Sequence, residues 1–207
     1  MGEIKFTKSE LRAQQSKLQQ LLKYLPTLQL KKALLQAVVT EVRHEIALFE
    51  SEFIEKRTTV DEFSALFSLN TGYDLATVIT VLEVQKRYEN IAGADVPYYV
   101  DTLFKPFSYD LFDSPPWLDE AQDHIKELYR RKEKIAIAVE KKKVLERELR
   151  EVTIRVNLFE KILIPRSERN IKKIKVFLGD MQLAAVCQAK VAKAKILQHK
   201  MELAHAR

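Results

Sequence analysis

Glycine is almost missing from this sequence, with only Gly2, Gly72, Gly93 and Gly179 in 207 residues. Phosphate-cradling loops of nucleotide-binding folds, and the tight turns of β-sandwiches and barrels, depend on glycine at close backbone approaches. Those classes are therefore excluded. A single cysteine, Cys187, rules out a disulfide scaffold and a cysteine-based zinc site and fits a reducing compartment. No apolar run approaches the ~20 residues of a membrane span, so direct membrane insertion is not expected. The opening MGEIKFTKSELR lacks the apolar core of a signal peptide, and Phe6 stands where a myristoylation motif requires Ser or Thr. A cytoplasmic address is expected. The four histidines show no His-x-x-x-His spacing, no Gly-x-Ser-x-Gly elbow exists, and Cys187 lies among Ala and Val on a helical repeat. Asp61-Glu62 and Asp119-Glu120 are sequence neighbours that point to different helix azimuths, which suits helix starts better than an acid–base pair. Neither catalysis nor a cofactor nor a metal is expected.

What the sequence does have is a seven-residue apolar repeat. Leu11, Leu18, Leu25, Val39, Ile46 and Phe53 mark one seam position, and Leu21, Leu28, Leu35, Val42 and Phe49 the other, interrupted only by Gln14 and Lys32. Spacing of 3.5 residues keeps a narrow stripe against a partner helix under left-handed supercoiling. A second seam uses Ile135, Leu149, Val156 and Leu163 with Ala138, Leu145, Val152 and Phe159, interrupted at Lys142. After Ile164-Pro165 it resumes one residue out of step as Ile171, Leu178, Ala185 and Ala192 with Ile174 and Met181, so the supercoil must readjust beside the proline. Lys32 and Lys142 either set register or snorkel their stems outward. The expected fold is mainly α: a long antiparallel left-handed coiled coil of N- and C-terminal helices, with a small inserted subdomain. Helix over 9–56, N-capped by Ser9, forms the first segment (1–56). Helix beyond Ser114-Pro115-Pro116-Trp117, with Asp119 and Glu120 in its first turn, forms the last (118–207). At 1.5 Å per residue the latter would be roughly 130 Å long.

Residues 57–117 differ in character. Val60 to Leu69 reads as a short helix ended by Asn70-Thr71-Gly72, and about 76–100 as a β-hairpin. Ala76 to Ile91 and Val96 to Val100 supply its strands, Gly93-Ala94-Asp95 its turn, and Pro97 an edge position. Pro26 should loosen the first helix. Residues 1–35 carry seven Lys/Arg against two Asp/Glu and residues 166–207 ten against three, a surplus of twelve positive charges, whereas the overall balance is +6. Antiparallel pairing would make one end basic and the hairpin end acidic. Nucleic acid is not the expected partner, because Phe177 is the single aromatic residue in the basic C-terminal stretch.

Three stretches together resemble the D subunit of the V-type and archaeal-type rotary ATPases. Thr153, Arg155, Val156, Asn157 and Glu160, then Ile164, Pro165 and Ile171, are similar to that family's T-x-R-V-N-x-x-E, I-P and I signature, in order and in register. Asn90, Ile91 and Gly93 with Val96 and Pro97 resemble its hairpin turn, and Phe6-Thr7-Lys8 with Leu11 and Leu18 the start of its N-terminal helix. Tyr24-Leu25-Pro26-Thr27 and Cys187 to Lys190 depart from the family pattern. The resemblance implies a noncatalytic, cofactor-free rotor shaft on the cytoplasmic face of an ion-translocating complex. It implies as partners the catalytic and noncatalytic subunits of a hexamer, the small F subunit of the central stalk and a funnel-shaped subunit that joins the shaft to the membrane ring. Within that reading, the basic residues Lys5, Lys8, Arg12, Lys190, Lys193, Lys195 and Lys200, beside the small residues Ala184, Ala185, Ala189, Ala192 and Ala194, are expected to face acidic loops of the hexamer, a merely solvated helical face being the alternative. Heptads alone, however, specify pairing and not mechanism, so a non-rotary coiled-coil adaptor or stalk protein is the alternative.

Overall fold

A computed structural model describes residues 5–62, 79–107 and 115–205, the last four as backbone alone. Helix α1 runs Lys8–Glu62, strand β1 Val81–Ile91, strand β2 Ala94–Phe104, helix α2 Leu118–Leu158 and helix α3 Ile164–His205, with a π-helical turn over Phe159–Leu163 between the last two. The chain divides into two compact units, residues 1–29 with 154–207 and residues 30–153.

In the unit of residues 30–153, α1 and α2 run antiparallel. Cross-helix ion pairs join Arg43 to Glu146 at 2.8 Å, Glu45 to Lys141 at 3.2 Å, Glu52 to Arg131 at 3.5 Å and Lys56 to Glu127 at 2.6 Å, the numbers rising on one helix as they fall on the other. Between these bonds lies the apolar seam: Leu35, Val39, Val42 and Ile46 of α1 are buried, as are Ala138, Leu145 and Val152 of α2. Phe49 and Leu149 are half-buried. Helix α1 extends to Glu62, past the expected end at residue 56, so Asp61 closes a helix and pairs with Arg57 at 3.7 Å. The expected short helix at 60–69 and the turn at 70–72 lie, apart from residues 60–62 in α1, outside the described residues.

Strands β1 and β2 form an antiparallel hairpin, with Ile91 opposite Ala94 and Tyr88 opposite Pro97. Its tight turn is Ala92-Gly93 with φ of 53° and 85°, one residue earlier than expected, because both central positions of this turn need positive φ. Gly93 is required by that angle and not by space: a Cβ there would meet only the Lys31 ammonium at 3.6 Å. The Asn90 side chain accepts from the Gly93 N–H at 3.0 Å and donates to Asp95 at 2.7 Å, bracing the turn. Val96, Pro97 and Thr102 are buried, so one part of the hairpin is sealed by packing within this unit.

In the unit of residues 1–29 and 154–207, Gln29 donates to Glu160 at 2.5 Å and Phe6 leans on Phe177 with ring centroids 4.9 Å apart, again an antiparallel order. Leu21, Val156, Ile164, Ser167, Ile171 and Ile174 are buried, and Leu11, Leu18, Leu25, Leu28 and Phe159 half-buried. The N-cap of α1 is Thr7 and not Ser9: Thr7 Oγ1 accepts from the Glu10 N–H at 3.2 Å, and the Thr7 carbonyl from the Leu11 N–H at 3.0 Å.

The one-residue register step has a physical cause. At the π turn the Ile164 N–H bonds back to the Phe159 carbonyl, five residues earlier, which inserts one extra residue into the helix. Pro165, which lacks an N–H and would clash with the carbonyl four residues before it, follows directly. The buried positions Ile164, Ser167, Ile171 and Ile174 therefore sit one residue later than an unbroken repeat would put them.

Candidate functional site

The described residues contain no group of three or more His, Cys, Asp and Glu able to hold a metal ion. No helix among them is long and apolar enough to cross a membrane. The chemistry on offer is that of surfaces.

One surface is the clasp between hairpin and helices. The Lys141 ammonium lies 4.1 Å from the Tyr98 ring centroid and 3.2 Å from Glu45, with its side chain buried. Arg130 sits 5.5 Å over the Phe104 ring and 3.5 Å from Asp101. Lys86 donates to Glu140 at 2.7 Å, and that hydrogen bond holds its pKa above the ordinary lysine value. Glu127 accepts from Lys56 and from Arg131, which together hold its carboxyl below the usual range, Lys56 contributing most. Lys142, at a seam position, is half-buried like Leu149 one heptad on, while its neighbour Lys141 is buried. Helix α2 must face the hairpin as well as α1 here, so Ile137 is also buried; the aromatic pair Tyr98-Tyr99 was the available signal for a second packing face.

The residues of the C-terminal signature converge on the π turn. Val156 is buried just before it, Asn157 is exposed, Thr153 half-buried, and Glu160 lies within the turn and accepts from Gln29. Arg155 is exposed, while Ile164 and Ile171 are buried on either side of half-buried Pro165. In the hairpin set, Asn90 and Gly93 form the turn, Ile91 is half-buried, and Val96 and Pro97 are buried. These two stretches thus do local structural work, the first building the π turn and the second closing the hairpin.

The remaining surface is the end of α3, where all residues from Gly179 to Met201 are exposed. Lys190, Lys193, Lys195 and Lys200 project there among small and aliphatic side chains, and Lys5, Lys8 and Arg12 are exposed at the start of the chain. The unit containing both stretches holds seventeen Lys/Arg against six Asp/Glu, whereas residues 30–153 hold eighteen against twenty-three. Positive charge and exposed apolar side chains thus share one helical stretch.

A family model described as the D subunit of ATP synthase matches residues 10–194. The chain is 41% identical over 202 residues to the V-type ATP synthase D subunit of Chlamydia abortus, covering 97% of each chain. It is 42% identical to that of Chlamydia caviae over 202 residues, again 97% of each, and 40% identical to that of Chlamydia pneumoniae over 195 residues, 94% of this chain and 93% of the relative. Paired helices, a tight hairpin and the signature at the π turn fall within a match that runs almost end to end, and the chain belongs to the family of ATP synthase D subunits.

Proposed function

We propose that this chain is the noncatalytic central-stalk rotor shaft of a V-type rotary ATPase, carrying torque between an ATP-hydrolysing or ATP-synthesising hexamer and the membrane ion-translocating ring. The observation that carries the reading is a near-complete family match laid over two long paired helices whose basic C-terminal stretch stays exposed. A pair of helices resists bending and twisting far better than one, as a shaft must. Small side chains and dispersed charge on Ala184 to Lys200 suit a surface that turns inside a bearing without locking at one angle. In this reading the hexamer's acidic loops face Lys190, Lys193, Lys195 and Lys200, while the small F subunit and a funnel-shaped subunit hold the lower shaft. Within such a complex the protein lies at the cytoplasmic face of a membrane that it does not itself enter.

Affinity capture from native extract tests this, with the tag placed in residues 110–114 so that both ends of the chain stay free. Recovery of an ATP-hydrolysing hexamer is the expected result. Capture of a coiled-coil partner set without nucleotide hydrolysis would instead identify a non-rotary adaptor. In the recovered complex, reversing those four lysines to Glu should uncouple ATP hydrolysis from ion movement, and unchanged coupling would overturn the bearing assignment.

A further inference from the structure

Phe6 lies just outside α1, at a position whose side chain in many helices folds back onto the first turn. Here it leans on Phe177 of α3, yet the two rings remain 43% and 42% exposed and Val176 beside them 57% exposed. They form the apolar floor of an open groove of about 510 Å³. Among the described residues, Arg169, Lys172 and Lys173 rim it against a single carboxylate, Asp180. The Arg169 guanidinium is already positioned, since its Nε donates to the Pro165 carbonyl at 3.2 Å and leaves the terminal nitrogens to point elsewhere.

An aromatic floor with an arginine-containing rim is the composition of a protein-binding hot spot. Three cations against one anion, in the more basic of the two units, favour a negatively charged occupant. Two phenylalanine rings that lean on each other at 39° give the groove an apolar floor that an inserted aliphatic or aromatic side chain can cover. We infer that this groove seats an acidic segment of the catalytic hexamer through one inserted apolar side chain; the assignment of the partner rests on the rotor reading. It differs from the lysine-rich stretch further along α3, which holds no aromatic residue and to which the rotor reading assigns only diffuse charge.

The test uses catalytic hexamer purified free of this chain, with association and dissociation followed on immobilised wild-type protein and variants. Phe177→Ala, and separately Arg169→Gln/Lys172→Gln/Lys173→Gln, should each weaken binding at least about tenfold, the first through faster dissociation and the second with a flattened salt dependence. Lys143→Gln, on α2 and not among the residues that line the groove, should bind as wild type. Because none of the altered side chains belongs to the buried seam, circular dichroism should be unchanged. A photo-crosslinker at Val176 in the assembled complex should map to a hexamer segment rich in Asp and Glu. Wild-type affinity in both groove variants, or a crosslink to a neutral or basic segment, overturns the groove and leaves the rotor reading standing. Absence of hexamer binding by the wild-type chain overturns both. Self-association, or binding of single-stranded oligonucleotide, that is lost in the same two variants would assign the groove to another occupant and overturn the proposal as well.

Discussion

Lys141 offers the sharpest test of what holds the hairpin to the helix pair. Its side chain is buried, with Tyr98 and Glu45 both within reach of the ammonium. A cation over a tyrosine ring contributes about 2 kcal/mol when it is desolvated. An ion pair to a carboxylate 39% exposed, like that of Glu45, is screened and contributes about 0.2–1 kcal/mol. The ring should therefore be the stronger partner. Lys141→Met keeps most of the stem and its packing while removing the charge, and should lower unfolding stability by about 2–3 kcal/mol. Urea unfolding followed by circular dichroism and by the fluorescence of Trp117 reads this, provided the slope with urea stays constant. Double-mutant cycles then separate the partners. Coupling with Tyr98→Leu should be about 2 kcal/mol and independent of salt, and coupling with Glu45→Gln below about 1 kcal/mol and lost at high salt. A Glu45 coupling equal to or larger than the Tyr98 coupling, or a Tyr98 coupling that salt removes, would refute the reasoning.

Ala92 holds a positive φ that a Cβ disfavours, so Ala92→Asn should stabilise the hairpin by about 1 kcal/mol, seen as slower amide exchange across β1 and β2. Glu127 has its pKa depressed by Lys56 and Arg131, so its contribution is present above the ordinary carboxylate value of about 4.3 and is lost as pH falls through the lower folded value. Glu127→Gln should accordingly flatten the loss of stability in acid; an unchanged acid limb in a melting series would contradict this. Deleting Ile162, exposed within the π turn, should restore a continuous heptad and leave the melting temperature near that of the wild type, whereas deleting exposed Arg147 should displace the downstream seam and lower it sharply.

The long helices were legible because the heptad is a strong periodic signal, which pairing satisfies at Leu35, Val42, Leu145 and Val152 but not at Met181, Ala185 and Ala192, which are exposed on α3. The register slip beside Pro165 was legible too, but not its mechanism, since apolar spacing counts residues and is silent on which hydrogen bond lengthens. Two local errors share one origin. Ser9 and Thr7 are both good caps, and Gly93 can stand in a tight turn with Ala92 before it or with Ala94 and Asp95 after it. A sequence presents such neighbours as equals, and tertiary geometry chooses between them. The groove at Phe6 was invisible for a different reason: its parts are about 170 residues apart, and only the antiparallel order brings them together.

The Gln29–Glu160 bond places two interruptions at one level of the helix pair. Pro26 deprives α1 of a backbone hydrogen bond three residues from Gln29, while Glu160 sits in the π turn just ahead of Pro165. Two irregularities that could each have disturbed the pairing at a different level are thereby absorbed at a single one, and the supercoil readjusts once where it would otherwise readjust twice.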